Sequence, residues 1–192
     1  MKVRSLWTIC LLFAALQAAH AQEMTIVTFG NPAPSCAPSG VTITGLGTCP
    51  TGTSFVAPGY SWSMSSSSAV AAGTSVSANP AFTDQKFTKA MNDASAPLLL
   101  AMLKGSVIPQ MRITVYGPVV QASGIVRLPI YEVLLEGVYV TGLSSTASEE
   151  IPQETLTVGF EKIKVTSLVY STKSPTPTDY LFSYDRIANQ FN

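Results

Sequence analysis

The stretch from Phe82 to Tyr116, FTDQKFTKAMNDASAPLLLAMLKGSVIPQMRITVY, reads as a strand, a turn, one short helix, a second turn and another strand. Phe82 to Met91 has the polar face of a half-buried strand. Asn92, Asp93 and Ser95 each offer an oxygen to the free N–H groups of a helix start, and Pro97 has no N–H to lose in the first turn. Leu98, Leu99, Ala101, Met102 and Leu103 then fall at spacings that put an apolar stripe on one side of a helix. Lys104 suits the negative end of the helix dipole, and Gly105 suits the left-handed residue that ends it. The helix with its cap is therefore expected over 92–105. After Pro109, Met111, Ile113 and Val115 alternate with Arg112, Thr114 and Tyr116, the period of a strand buried on one face. One short helix held between strands is the landmark of the chain.

At the amino end, Lys2 and Arg4 precede an apolar run from Leu6 to Leu16, and Ala19-His20-Ala21 offers the small residues a signal peptidase needs. Residues 1–21 are expected to be a cleaved secretory signal, leaving one domain over 22–192. The run is too short to anchor the chain in a bilayer, and no later stretch approaches about 20 uninterrupted apolar residues. A secreted or periplasmic protein without a membrane anchor is expected.

Removing the 21 signal residues from the 192 leaves 171, enough for one core and too few to favour two. Lys2 and Arg4 leave with the signal, so 9 basic residues face 11 acidic ones. No basic stripe remains to neutralise phosphates, which argues against nucleic acid as a partner. The one histidine, His20, also departs. Without it the mature chain has no Ser-His-Asp or Cys-His pair and no imidazole ligand for a metal. No GxSxG, HExxH or metal-spaced acidic cluster is present, and Gly45-Leu46-Gly47 lacks the third glycine of a phosphate loop. Neither catalytic residue, metal nor cofactor is expected.

Cys36 and Cys49 remain once Cys10 is lost. In an exported chain this pair, among Pro32, Pro34, Pro38 and Pro50, reads as a disulfide closing the loop 30–59. Without CxxC spacing nothing supports a redox role.

The remaining segments alternate. Met24 to Phe29 fits a first strand, and Val41 to Thr44 is the one segment of the stapled loop able to pair. Tyr60, Trp62 and Met64 alternate with serines as a strand with one aromatic face, and Ser65 to Asn79, low in complexity, is expected to be a surface loop. Ile125 to Leu143 suggests two strands, interrupted by Glu132 and Glu136, which on a strand share one face. Ser144 to Gln153, with Glu149 and Glu150, is a polar turn. Leu156, Val158 and Phe160 face one way, yet Ile163 and Val165 continue on the other parity. A slip of one residue near Glu161 and Lys162 is what a bulge or a barrel corner produces. Tyr180 to Tyr184 is a last strand, followed by a turn or short helix to Phe191. About eight strands and one helix predict a mainly β protein, a closed and mostly antiparallel β-barrel with one flanking α-helix.

From Tyr60 onward the chain resembles the haemolysin-coregulated protein (Hcp) family, the inner-tube subunits of the bacterial type VI secretion system. The resemblance rests on Tyr60-Ser61-Trp62-Ser63, on Phe87-Thr88-Lys89 followed by Asp93, Ser95 and Leu98, and on Gly105 closing the helix. Glu154 to Ile163, ETLTVGFEKI, is its most specific part, and Tyr184-Asp185 with Asn189 completes it. It marks Trp62, Asp93, Ser95, Gly105, Glu154, Phe160 and Asp185 as structural motif positions. It implies a non-catalytic, homohexameric ring with a wide hole, able to stack and to carry cargo in its lumen. The chain departs from the family pattern in its signal peptide, its cysteine pair and a one-residue shift at Asn92-Asp93 and Ser95-Ala96-Pro97.

Two further classes are open to the residues alone. A secreted monomeric β-barrel binding module would line a groove with aromatics such as Tyr60, Trp62 and Tyr116. A secreted enzyme would need a carboxylate pair such as Glu132 and Glu136.

Overall fold

The computed structural model describes residues 23–68, 78–122, 124–147, 151–171, 174–188 and 190–191. The expected signal peptide at 1–21, with Cys10 and His20, lies outside the described residues, as do Glu149, Glu150 and Asn189. The described strands are β1 Met24–Gly30, β2 Ser54–Val56, β3 Gly59–Ser61, β4 Met64–Ser68, β5 Ala78–Phe82 and β6 Gln85–Ala90. After the helix α1 Ser95–Lys104 come β7 Ile108–Gln121, β8 Gly124–Thr146, β9 Gln153–Gly159, β10 Lys162–Ser171, β11 Ser174–Asp185 and β12 Gln190–Phe191.

The 23-residue strand β8 replaces the two strands expected over Ile125 to Leu143. It turns without stopping because Gly137 adopts φ +60°, a backbone state most side chains avoid. The side chain of Glu161 fills the space where a Cβ at Gly137 would sit. Before this bend β8 pairs with β7 and β10; after it, with a register shift between Val140 and Gly142, it pairs with β9. One strand thus belongs to two sheets, and the strand order runs β12-β11-β10-β8-β7-β1-β2 on one path and β8-β9-β6-β3 on the other.

The protein is mainly β with one helix, all named strand pairs being antiparallel. The expected closed barrel is reached only in part: among the described residues no backbone pairing joins β2 to β3 or β6. At that corner Phe55 of β2 meets Phe87 of β6 edge to face, ring centroids 6.0 Å apart. The core between the two paths includes Val27, Phe87, Met111, Val133, Leu156 and Phe160.

Other segments depart from expectation for identifiable reasons. The aromatic strand over Tyr60 to Met64 splits: Tyr60 stacks on Phe87, while Ser63 leaves the sheet to exchange hydrogen bonds with Thr83. The expected loop from Ser65 to Asn79 is a hairpin at its two ends, β4 pairing with β5; residues 69–77 lie outside the described residues. Phe82, expected to open the strand over Phe82 to Met91, instead ends β5. Val41 to Thr44 forms no strand, because turns at Pro38 and Ile43 direct Ile43 inward. The parity slip at Glu161, by contrast, is one of the two forms expected there, a corner between β9 and β10. The last strand is longer than Tyr180 to Tyr184 and is followed by a turn and the short β12.

Candidate functional site

Beneath α1 lies a polar knot whose charged pair, Lys89 and Glu154, is buried. Lys89 of β6 stands directly opposite Glu154 of β9, and its Nζ is 2.6 Å from Glu154 Oε2. Neither side chain is left to water alone: Lys89 Nζ also donates to Asn92 Oδ1 at 2.9 Å, Ser95 Oγ at 2.7 Å and the Ala90 carbonyl at 3.1 Å. Ser95 Oγ in turn donates to Glu154 Oε2 at 2.6 Å. The ammonium lies 5.5 Å from the Phe55 ring centroid. An ion pair this deep is tolerated only when both charges are multiply hydrogen-bonded, as here.

The knot corrects the expected cap. Ala94 is the N-cap and no side chain caps the helix. Ser95 Oγ accepts instead from the Asn92 N–H, outside the helix, at 3.1 Å. Asp93 Oδ2 accepts from Gly52 N–H at 3.0 Å, and Asn92 Nδ2 donates to the Ser54 carbonyl at 3.3 Å. These polar side chains therefore tie the helix start to β2 rather than satisfying the helix itself. At the other end Gly105 is left-handed as expected, at φ 59°, and donates to the Met102 carbonyl.

The remaining motif positions are scattered. Trp62 is half-buried against the core. Phe160 is buried edge-on to Phe82 and lies under the Arg186 guanidinium, 4.9 Å away. Asp185 Oδ1 accepts from Ile187 and Ala188 N–H, and its Oδ2 is 3.0 Å from Lys162 Nζ. The Ala188 hydrogen bond first, then that of Lys162, holds the Asp185 carboxyl below its ordinary range.

The structure places Glu132 on Arg112 and Glu136 on Gln110 Nε2, the latter at 3.2 Å, so each carboxylate of the enzyme reading is occupied as a cross-strand partner. Tyr60, Trp62 and Tyr116 line no common groove. The first two pack on the main core, whereas Tyr116 belongs to a second, separate cluster. Burial raises the phenol pKa of both Tyr60 and Tyr116.

That second cluster is the work of the stapled loop. Cys36 and Cys49 are disulfide-bonded, Cα to Cα 5.0 Å. The bond fixes Ala37 beside Thr48 in an isolated parallel bridge, and Ala37 and Ile43 pack on Ile26 of β1 and Tyr116 of β7. This cover explains why Thr114 and Tyr116, on the strand face opposite Met111, Ile113 and Val115, are buried as well. The helix has the opposite fate: of the expected apolar stripe Leu98 is fully buried and Ala101 and Met102 pack partly buried on the core, while Leu99 and Leu103 are exposed, as is Leu100 outside the stripe.

Sequence reasoning missed Lys89 and Gln85. Both share parity with Phe87 on β6, a signal outweighed by the expectation that charged and amide side chains face water. Gln85 is fully buried, with both side-chain polar atoms unpartnered among the described residues.

A family model described as "Type VI secretion system effector, Hcp" matches residues 55–166. No curated protein sequence matches the chain. Among solved structures, Hcp1 from Salmonella typhimurium aligns with TM-score 0.62 at 17% identity, covering 88% of this chain and 99% of its own. A protein described as a type six secretion system protein aligns with TM-score 0.67 at 13% identity, covering 89% and 100%. The secreted protein Hcp3 from Pseudomonas aeruginosa aligns with TM-score 0.52 at 15% identity, covering 85% and 99%. These likenesses establish a common fold. The family model spans 112 of the 192 residues, 55 through 166, and by that measure the chain belongs to the Hcp family of type VI secretion proteins.

Proposed function

We propose that this protein is a non-catalytic structural subunit of a homohexameric ring that stacks into a tube resembling the type VI secretion inner tube, and that it is exported by its own signal peptide. Family membership is the observation that carries the reading. Three physical features support it. The two carboxylates of an enzyme reading are engaged in cross-strand pairs. The aromatics of a ligand-groove reading are divided between two clusters. Apolar side chains stand uncovered on the helix and on the far hairpins, and unlike patches of this kind let identical copies close into a ring.

In this reading Phe55 and Phe87 close the barrel at the β2 corner through side chains where backbone pairing ends. The motif positions Trp62, Asp93, Ser95, Gly105, Glu154, Phe160 and Asp185 are scaffold rather than contact. Self-association is the principal partnership; cargo in the lumen is a second, with neither nucleic acid nor a membrane anchor involved. Among the described residues no helix is long and apolar enough to cross a membrane.

Light scattering on the purified mature protein tests the ring. Six times the chain mass, with rings under the electron microscope, is the expected result. A single-chain mass at all concentrations would overturn it and favour a monomeric binding module. Intact mass of the exported form, cut near Ala21 and two units below its reduced form, checks export and the disulfide together.

A further inference from the structure

We propose that the knot beneath α1 is a covalent modification site, in which Lys89 Nζ displaces ammonia from the Asn92 carboxamide and the two side chains end joined by an amide bond. An amine attacks a carboxamide when it is freed of a proton, held against the carbonyl and kept from water. Lys89 is fully buried, with the Phe55 ring centroid 5.5 Å from its Nζ. That Nζ donates to Asn92 Oδ1 at 2.9 Å, and Glu154 Oε2 stands 2.6 Å from it.

Three apart on an extended strand, Lys89 and Asn92 would face opposite sides of the sheet. They meet because β6 ends at Ala90 and the chain turns: Ser95 N–H donates to the Asn92 carbonyl at 3.0 Å, and Asn92 N–H donates to Ser95 Oγ at 3.1 Å. The carboxamide is held in one orientation, since its oxygen accepts from Lys89 while its nitrogen donates to the Ser54 carbonyl at 3.3 Å. The carbonyl carbon lies one C=O bond, about 1.2 Å, behind that oxygen. Nζ therefore has only to shift from the oxygen onto the carbon, and the flexible lysine stem allows it.

Glu154 handles the protons. Transfer of one proton from Nζ to Oε2 turns the buried ion pair into an amine and a carboxylic acid. The Nζ–Cγ bond then forms and the Cγ–Nδ2 bond breaks. Of the two hydrogens left on the amine, one stays on the new amide and the other passes to Nδ2, which leaves as neutral ammonia. Ser95 Oγ, 2.7 Å from Nζ and 2.6 Å from Oε2, is placed to relay it. Glu154 keeps its proton. No electrons change hands and no co-reactant is needed. Two buried charges disappear, and with them the desolvation cost of holding them. Asn92 is exposed, so the ammonia has a way out. The event occurs once per chain and is not turnover; its product ties the end of β6 to the turn that starts α1.

Mass spectrometry of the purified mature protein tests this. The folded chain is expected to be lighter by one ammonia, about 17 mass units, than its sequence with the disulfide requires. Trypsin does not cut after an acylated lysine, so it should spare Lys89 and release Phe87 to Lys104 as one piece that carries the deficit. The same chain purified in urea without ever folding, and folded Asn92→Ala, are expected to keep full mass in this segment and to be cut at Lys89. A folded wild-type chain cut at Lys89 and showing no deficit there would overturn the proposal, as would a deficit in this segment that survives Asn92→Ala. Ammonia lost elsewhere, at an amino-terminal Gln22 for example, leaves the Phe87 to Lys104 segment at full mass and counts against it in the same way.

Discussion

The outer face of β1 and β7 and the outer face of α1 are both apolar, and only the first is covered by the chain itself. The cover is a loop without regular structure, and it holds because three kinds of tie act together. A disulfide closes it, Ile43 and Ala37 anchor it in an apolar cluster, and Thr28 Oγ donates to the Pro34 carbonyl at 2.6 Å. The helix needs no cover to form. It is fixed from below by Leu98 and by the Lys89–Glu154 knot, so its upper side is free to stay bare. One face was finished by the chain itself, and the other was left bare.

Breaking the foundation of the helix should have the largest effect. Lys89→Ala leaves Glu154 buried without its counter-ion and is expected to cost about 3–5 kcal/mol in urea unfolding. A loss under about 1 kcal/mol would mean the knot contributes little to the helix flank. Removing the staple comes next: Cys36→Ser with Cys49→Ser should cost about 2–4 kcal/mol. Hydrogen exchange should then quicken over 31–53 before it does in β7 and β8, and uniform protection throughout would contradict the role of the bond as a clamp.

The same chemistry on the two faces gives the sharpest contrast. Ile43→Ala, under the loop, should lose about 2 kcal/mol, whereas Leu103→Ala, on the helix, should change monomer stability by less than about 0.5 kcal/mol. Equal losses in thermal unfolding would erase the distinction between a covered and a bare face.

The smallest expected effect lies away from both faces, at Asp185. Because its folded carboxyl is held below the ordinary range, its charged form favours the folded state. That contribution is present above the unfolded pKa of about 3.9 and fades as pH falls through the lower folded value. Asp185→Asn should melt slightly below wild type at pH 6, and the two should converge near pH 2. A gap that stays constant across that range would rule the ionised carboxylate out as its source.

Much of the scaffold was legible one element at a time. The helix stop at Lys104-Gly105, β1, the cysteine pair and the corner at Glu161 each depend on neighbours within a few residues, and local chemistry decides them. The knot was not legible, although each of its members was in view. Asn92, Asp93 and Ser95 have the residue types of a helix cap, and nothing local says that a lysine three residues before Asn92 and a glutamate from β9 will claim Ser95 instead. What buries Tyr116 was hidden for a similar reason, since period-2 alternation cannot know that a distant loop will cover the second face.

By itself the sequence determined which segments extend, where the helix ends and which cysteines can meet, because steric preference, hydrophobic period and chain connectivity act over short distances. Only the tertiary structure decided that β8 is one bent strand serving two sheets, that the hydrogen-bonded sheet stops at β2, that a buried charge pair underpins the helix, and which apolar face is left open. Those outcomes depend on side chains far apart in the chain competing for the same space and the same hydrogen bonds, and that competition is resolved only when the whole core closes.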